Sequence, residues 1–176
     1  MKPILLQNAK CIWLTGLSGS GKTTLANELK REFDLLNVPS VVLDGDVLRR
    51  GINNDLGFSE SDREENIRRA AEIAKLVLQS DVMVICAFMS PTTKTRLIAR
   101  NILRQFYIEV FVNTPLNICI ERDVKGLYKR AERGEIKNLS GIDTPFEPPV
   151  EPPVIIHTQN QSPQEGIQLI LDFLLK

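Results

Sequence analysis

The sequence predicts a three-layer α/β domain built on a five-stranded parallel sheet, and three observations point there. Strand-like and helix-like segments alternate along the chain, the pattern of βα units wound into one sheet. The run Val82 to Phe88 is apolar at nearly every position, and a strand apolar on both faces is covered by helices on both. A Gly/Ser turn, Gly16 to Gly21, joins the first strand directly to the first helix.

Each element follows from its residues. Cys11 to Thr15 is a short apolar strand. Lys22 to Phe33 reads as a helix, with Leu25, Leu29 and Phe33 on one face. Ser40 to Leu43 is the second strand, stopping at Asp44-Gly45-Asp46. Ser59 to about Ser80 is the clearest helix: Ile67, Ala70, Ala71, Ala74, Val77 and Leu78 recur at helical spacing, with Ser59 and Ser61 as N-cap candidates. After the third strand come a helix near Lys94–Arg104, a strand over Tyr107–Val112 and a short helix after Pro115. The stretch 123–153 differs, being charged early and holding five of the ten prolines late. Prolines are poor in helix interiors and ladders, so it reads as a mobile lid followed by an extended connection. Val154 to Ile156 and Pro163 to Leu175 supply a fifth strand and a closing helix. No repeat or second core is visible, so 1–176 reads as one domain.

The chain has 176 residues, 22 basic and 22 acidic, one His and three Cys. Zero net charge removes the electrostatic case for a nucleic-acid partner. No apolar run is long enough to span a membrane. The start, from Met1 to Gly16, lacks a signal-peptide layout, so a cytoplasmic location is expected. Cys11, Cys86 and Cys119 lie far apart in apolar surroundings and read as reduced core residues. With His157 the only imidazole, His-rich zinc sites and most Ser-His-Asp chemistry are excluded.

The turn spells Gly16-Leu17-Ser18-Gly19-Ser20-Gly21-Lys22-Thr23, the phosphate loop G-x-x-x-x-G-K-[ST], and Thr24 continues the helix it opens. Its glycines let successive backbone N–H groups converge on phosphate oxygens. Lys22 brings a charge to the β and γ phosphates, Thr23 a hydroxyl to Mg²⁺, and the helix its positive end. The fold class is therefore a P-loop nucleoside triphosphate hydrolase fold with a five-stranded parallel sheet and a mobile lid. A guanine-reading N-K-x-D is absent, and large motors need domains for which this length leaves no room. A small kinase needs only a core sheet, an acceptor site and a lid that excludes water. Asp44 and Asp46 end the strand expected beside the loop, where carboxylates face the crevice. One can take the acceptor's proton while the other orders Mg²⁺.

Further motifs follow in one order: Leu43 to Asp46, Arg49, Asp55 to Ser59, Asp62-Arg63, Glu65 to Arg69, Phe88 to Pro91, Arg122 to Lys129, Gly134 to Asn138 and Gly141 to Asp143. Together they resemble the adenylyl-sulfate kinases, over roughly Cys11 to Pro153. The resemblance implies ATP- and Mg²⁺-dependent phosphorylation of the ribose 3′-hydroxyl of adenosine 5′-phosphosulfate (APS), and a homodimer. It implies Lys22, Asp44, Asp46 and Ser90 as catalytic residues and Thr23 with Asp44 at the metal. It places Arg122 with the phosphate loop on the ATP side. Asp46, Arg49, Phe58, Arg63, Asn66, Met89, Ser90, Lys125, Lys137 and Leu139 fall on the acceptor. Phe58 suits stacking on adenine, and Arg49 and Arg63 suit the phosphosulfate anion. Ser90 matches a family phosphoserine position, although in-line transfer needs no relay.

Some positions depart from the family pattern. Val47 stands for Asn, Arg50 for a frequent His, Thr92 and Thr93 for Tyr and Arg, and Leu139 for a frequent Phe. If these departures surround the acceptor, a kinase for another activated nucleotide, such as a cytidine diphosphate derivative, is the alternative. A nucleotide-binding regulatory subunit without turnover is the third reading.

Overall fold

The computed structural model describes residues 9–176; the first part of the stretch read for a signal peptide lies outside them. Five strands, β1 (Cys11–Thr15), β2 (Ser40–Asp44), β3 (Met83–Ala87), β4 (Tyr107–Val112) and β5 (Val154–Ile156), pair in parallel in the order β2-β3-β1-β4-β5. β1 and β3 are buried at every position, as continuous apolar runs require. α1 (Lys22–Leu35) packs with α7 (Pro163–Leu174) over one face, and α3 (Glu60–Leu78) with α4 (Thr93–Leu103) over the other. Trp13, Ile12, Leu14 and Phe33 are fully buried between the layers.

Local chemistry sets the element ends. Ser59 caps α3, its Oγ accepting from the Asp62 N–H at 3.2 Å, whereas Ser61 lies in the first turn. Thr92 and Thr95 form a capping box on α4, and Ser162 and Glu165 another on α7, where Pro163 takes the first turn. α4 ends at Leu103; Arg104, with φ of 50°, turns the chain into a 3-10 turn before β4.

Two short helices interrupt segments expected to be irregular. β2 does not stop at a bare turn: Asp44 accepts from the Asp46 N–H at 2.8 Å and caps α2 (Gly45–Arg49). After α5 (Leu116–Arg122), the charged stretch contains α6 (Leu127–Glu132), whose first N–H groups, those of Tyr128 and Lys129, donate to the Asp123 carboxylate. The prolines then run extended, and Glu147 pins them to α4 by accepting from the Thr93 N–H at 2.7 Å.

All three cysteines are free and buried. Cys11 and Cys86, distant in sequence, are neighbours across β1 and β3, with sulfurs 3.6 Å apart. Burial pushes the Cys86 thiol well above its ordinary range.

Candidate active site

The carboxyl ends of β1, β2 and β3 and the loop after β5 open onto one cavity of about 740 Å³. The glycine-rich loop wraps its base. Gly16 has φ of 154°, and a Cβ there would sit 2.5 Å from the Val112 carbonyl oxygen. Gly19, at φ of 77°, would put one 2.9 Å from the Cys119 carbonyl oxygen. Only glycine fits either place.

Lys22 folds back over the loop and donates to the Gly16 and Leu17 carbonyls at 2.8 and 2.6 Å. Burial, reinforced by the nearby Lys125 ammonium, lowers its pKa to about 8. Thr23 donates to Asp44 Oδ2 at 2.8 Å, so hydroxyl and carboxylate stand together at the start of α1. Asp46 is ion-paired with Lys125, reaching across from the charged stretch. Ser18, Gly19, Gly21 and Thr24 also line the cavity. Gly16, Leu17 and Ser20 do not: the first two supply carbonyls to Lys22, and the Ser20 carbonyl accepts from Thr114 and Thr158.

The far end is basic and aromatic. Phe58 is 57 % exposed, with the Arg49 and Arg63 guanidinium carbons 4.6 and 5.8 Å from its ring centre. Arg49 Nη1 donates to the Gly57 carbonyl at 2.7 Å, while Arg63 Nη2 reaches the Asn138 carbonyl at 2.7 Å. Burial lowers both guanidinium pKa values. Asn66, one turn after Arg63 on α3, lines the cavity, as do Met89 and Lys137.

Three sets of expected residues have settings that the sequence did not show. Ser90 sits at the wall, but its side chain is buried and its Oγ accepts from Trp13 Nε1 at 2.9 Å. Its φ is 44°, its carbonyl accepts from Arg96 Nη1 at 3.2 Å, and Thr15 Oγ1 donates to the preceding Met89 carbonyl at 2.7 Å. The Trp13 bond takes one lone pair of the Ser90 hydroxyl, which keeps its own O–H to donate, and Ser90 lines the cavity. Leu139 does reach the cavity, yet it is 5 % exposed and belongs to a small core with Tyr128 and Cys119. Val47, Arg50, Thr92 and Thr93 do not line the cavity: Val47 is exposed, Thr92 caps α4, and Thr93 donates to Glu147.

One part of the site was not singled out in the sequence. Thr158, Gln161 and Pro163 line the cavity beside Arg122. Arg122 donates to the Thr158 hydroxyl and carbonyl at 2.9 and 2.8 Å and to the Gly19 carbonyl at 3.4 Å. The position of this loop, beyond the carboxyl end of a parallel strand, is the feature that could have flagged it.

The family model of adenylylsulphate kinase matches residues 8–157. This chain belongs to the adenylylsulphate kinase family. The adenylyl-sulfate kinase of Bacteroides thetaiotaomicron is 49 % identical over 98 % of the chain and 86 % of that protein. That of Paraburkholderia xenovorans is 49 % identical over 93 % and 92 %. Among solved structures, the Mycobacterium tuberculosis APS kinase CysC in complex with AMPPNP and APS superposes with a TM-score of 0.92 at 40 % identity, covering 96 % of this chain and 99 % of that one. A shikimate kinase from Aquifex aeolicus, 19 % identical with a TM-score of 0.52 and covering 94 % and 96 %, shares the fold.

Proposed function

We propose that this adenylylsulphate kinase family member transfers the γ-phosphoryl group of ATP to the 3′-hydroxyl of APS, giving 3′-phosphoadenosine 5′-phosphosulfate. One observation carries the reading: the Lys22–Thr23–Asp44 group and the Arg49–Phe58–Arg63 group open into one cavity, with Asp46 between strand end and acceptor wall. In this reading the glycine-rich loop and Lys22 hold the β and γ phosphates. Arg122 and the Thr158 loop flank the nucleoside, and Phe58 stacks on the acceptor's adenine. Arg49, Arg63, Asn66 and Lys137 face its anion. Asp46 takes the 3′-hydroxyl proton as the new O–P bond forms, and ADP carries away the electrons of the broken γ-bond.

A magnesium ion fits the Thr23–Asp44 pair. Magnesium keeps most of its ligands from phosphate and water and needs few from protein. Among the described residues no cluster of three or more His, Cys, Asp or Glu offers a full cage. Thr23 and Asp44 would hold the ion, which would neutralise charge on the transferring group.

Residues 123–138 form the proposed lid of a single kinase domain. The alternative acceptor loses its motive, because only Leu139 among the departing residues faces the cavity. No described helix is long and apolar enough to cross a membrane, and the cytoplasm is the proposed location. The proposed assembly is a homodimer, which light scattering in solution checks: a 19.8 kDa species overturns it. The deciding assay is Mg²⁺-dependent ATP turnover with and without APS, beside cytidine diphosphate derivatives. APS-dependent turnover is expected, falling about 10²-fold or more in Lys22→Ala and Asp46→Asn; turnover only with another nucleotide overturns the substrate assignment.

A further inference from the structure

One hydrogen bond ties the charged stretch to the glycine-rich loop, and no step above uses it. Tyr128, in the first turn of α6, is buried in a small core with Cys119 and Leu139, against which Leu17 and Leu116 pack. Its phenol donates to the Ser18 carbonyl at 2.9 Å. Burial pushes the phenol above its ordinary range, so it keeps its proton, and toward a carbonyl it can only be the donor. The residue is anchored at its backbone as well, where the Tyr128 N–H donates to Asp123 Oδ1 at 3.1 Å.

A trans peptide unit is planar, with its C=O and N–H pointing in opposite directions, and no described peptide bond is cis. The Ser18 carbonyl points at Tyr128, which does not line the cavity, whereas Ser18 and Gly19 both do. The N–H of the same peptide unit, that of Gly19, therefore points away from the small core, and it meets no acceptor among the described residues. An unengaged backbone N–H is what a phosphate oxygen takes from such a loop. This unit is also one that can turn over, because Gly19, at φ of 77°, has the backbone freedom of a residue without a Cβ. Turned over, it would set the Ser18 carbonyl oxygen against the phosphate oxygens. The neighbouring loop carbonyls are held from elsewhere, Gly16 and Leu17 by Lys22 and Gly19 by Arg122. No described residue other than Tyr128 donates to that of Ser18.

We propose that Tyr128 is a positioning residue of the nucleotide site, whose phenol holds the Ser18–Gly19 peptide with its carbonyl in the small core and the Gly19 N–H free for a phosphate oxygen of ATP. The inference rests on the ATP half of the proposed function.

Calorimetric titration with ATP and Mg²⁺ tests it on the wild type, Tyr128→Phe and the packing control Leu116→Ala, beside urea midpoints and KM for APS. Tyr128→Phe keeps the ring in the small core and removes the donor. Its Kd for ATP is expected to rise several-fold, up to about tenfold, because the lost bond favours the competent orientation by the worth of one neutral hydrogen bond. KM for APS is expected to stay near wild type. Leu116→Ala thins the same core without touching the carbonyl, so it lowers the urea midpoint at least as far and leaves Kd for ATP near wild type. An unchanged Kd for ATP in Tyr128→Phe overturns the proposal. An equal rise in both variants overturns it as well, by making packing the cause and not the phenol. So does a rise in KM for APS as large as that in Kd for ATP, which would mean that the whole segment has shifted. A wild type that does not bind ATP removes the functional reading and this inference with it. A wild type that binds ATP, with Tyr128→Phe unaltered, removes this inference alone. If the wild type binds ATP but does not turn over APS, the substrate assignment falls and the ATP titration still decides.

Discussion

Lys22 is a cation waiting for an anion. Its ammonium rests on two loop carbonyls, and burial together with the Lys125 charge brings its pKa down from 10.5 to about 8. A bound triphosphate raises that pKa again by adding negative charge beside it. The sign follows: well below about 8 the lysine is charged with or without nucleotide, and binding takes up no proton there. Above about 8 the free enzyme's lysine is neutral, so ATP binding takes up a proton and affinity falls, by up to about tenfold per pH unit. Calorimetry of ATP binding at about pH 9, in two buffers of different ionisation enthalpy, is expected to show that uptake. Equal heats in both buffers would mean that Lys22 keeps its proton in the empty site. The residues of the phosphate loop were legible in the sequence because each meets a local backbone demand. The setting of Ser90 was not, because its hydrogen-bond donor, Trp13, lies 77 positions away and meets it only across the sheet.

At the scale of elements, legibility tracked length. α1, α3 and α7 show a helical period over several turns, and the buried strands show unbroken apolar runs. α2 and α6 have 5 and 6 residues, less than two turns. No period can show at that length, and capping by Asp44 and Asp123 does the work instead. The loop after β5 was illegible for another reason, since its partners lie on other elements. Thr158 Oγ1 meets Thr114 Oγ1 at 2.6 Å and the Ser20 carbonyl at 3.0 Å, and accepts from Arg122. One hydroxyl thus joins the end of β5, the end of β4, the phosphate loop and α5. Thr158→Val keeps the shape and removes those bonds, at a cost of about 1–3 kcal/mol for the groups left unpaired. Because the proposed function puts Thr158 on the ATP side, KM for ATP is expected to rise several-fold with KM for APS unchanged. A rise in both would mean that the loop serves the whole cavity and not the nucleotide end.

In the whole molecule, the sheet order puts β1 at the centre and gathers the phosphate loop, both carboxylates and the Ser90 wall at one edge. The alternation and burial patterns of the sequence were enough for that architecture. They did not reveal how residues 123–138 sit, because charged side chains carry no periodic signal about what they face. Two contacts draw that segment over the cavity: Lys125 pairs with Asp46 on α2, and Arg63 on α3 donates to the Asn138 carbonyl. Lys125 and Asp46 are each about half exposed, and such a pair contributes at most ~1 kcal/mol. Phosphates are stronger partners for a lysine than one exposed carboxylate, so substrates would exchange this weak tether for a tighter one. Lys125, Lys129, Arg130, Arg133 and Lys137 make the segment a ready trypsin substrate. Cleavage there is expected in the free enzyme, slowed at least about tenfold when ATP and APS are saturating, since ligands that favour the closed form suppress the open one by mass action. Protection by ATP alone would place the closing contacts on the nucleotide. Cleavage at the same rate with both substrates would show that the segment is a fixed wall, with Lys125 held to Asp46 throughout the cycle.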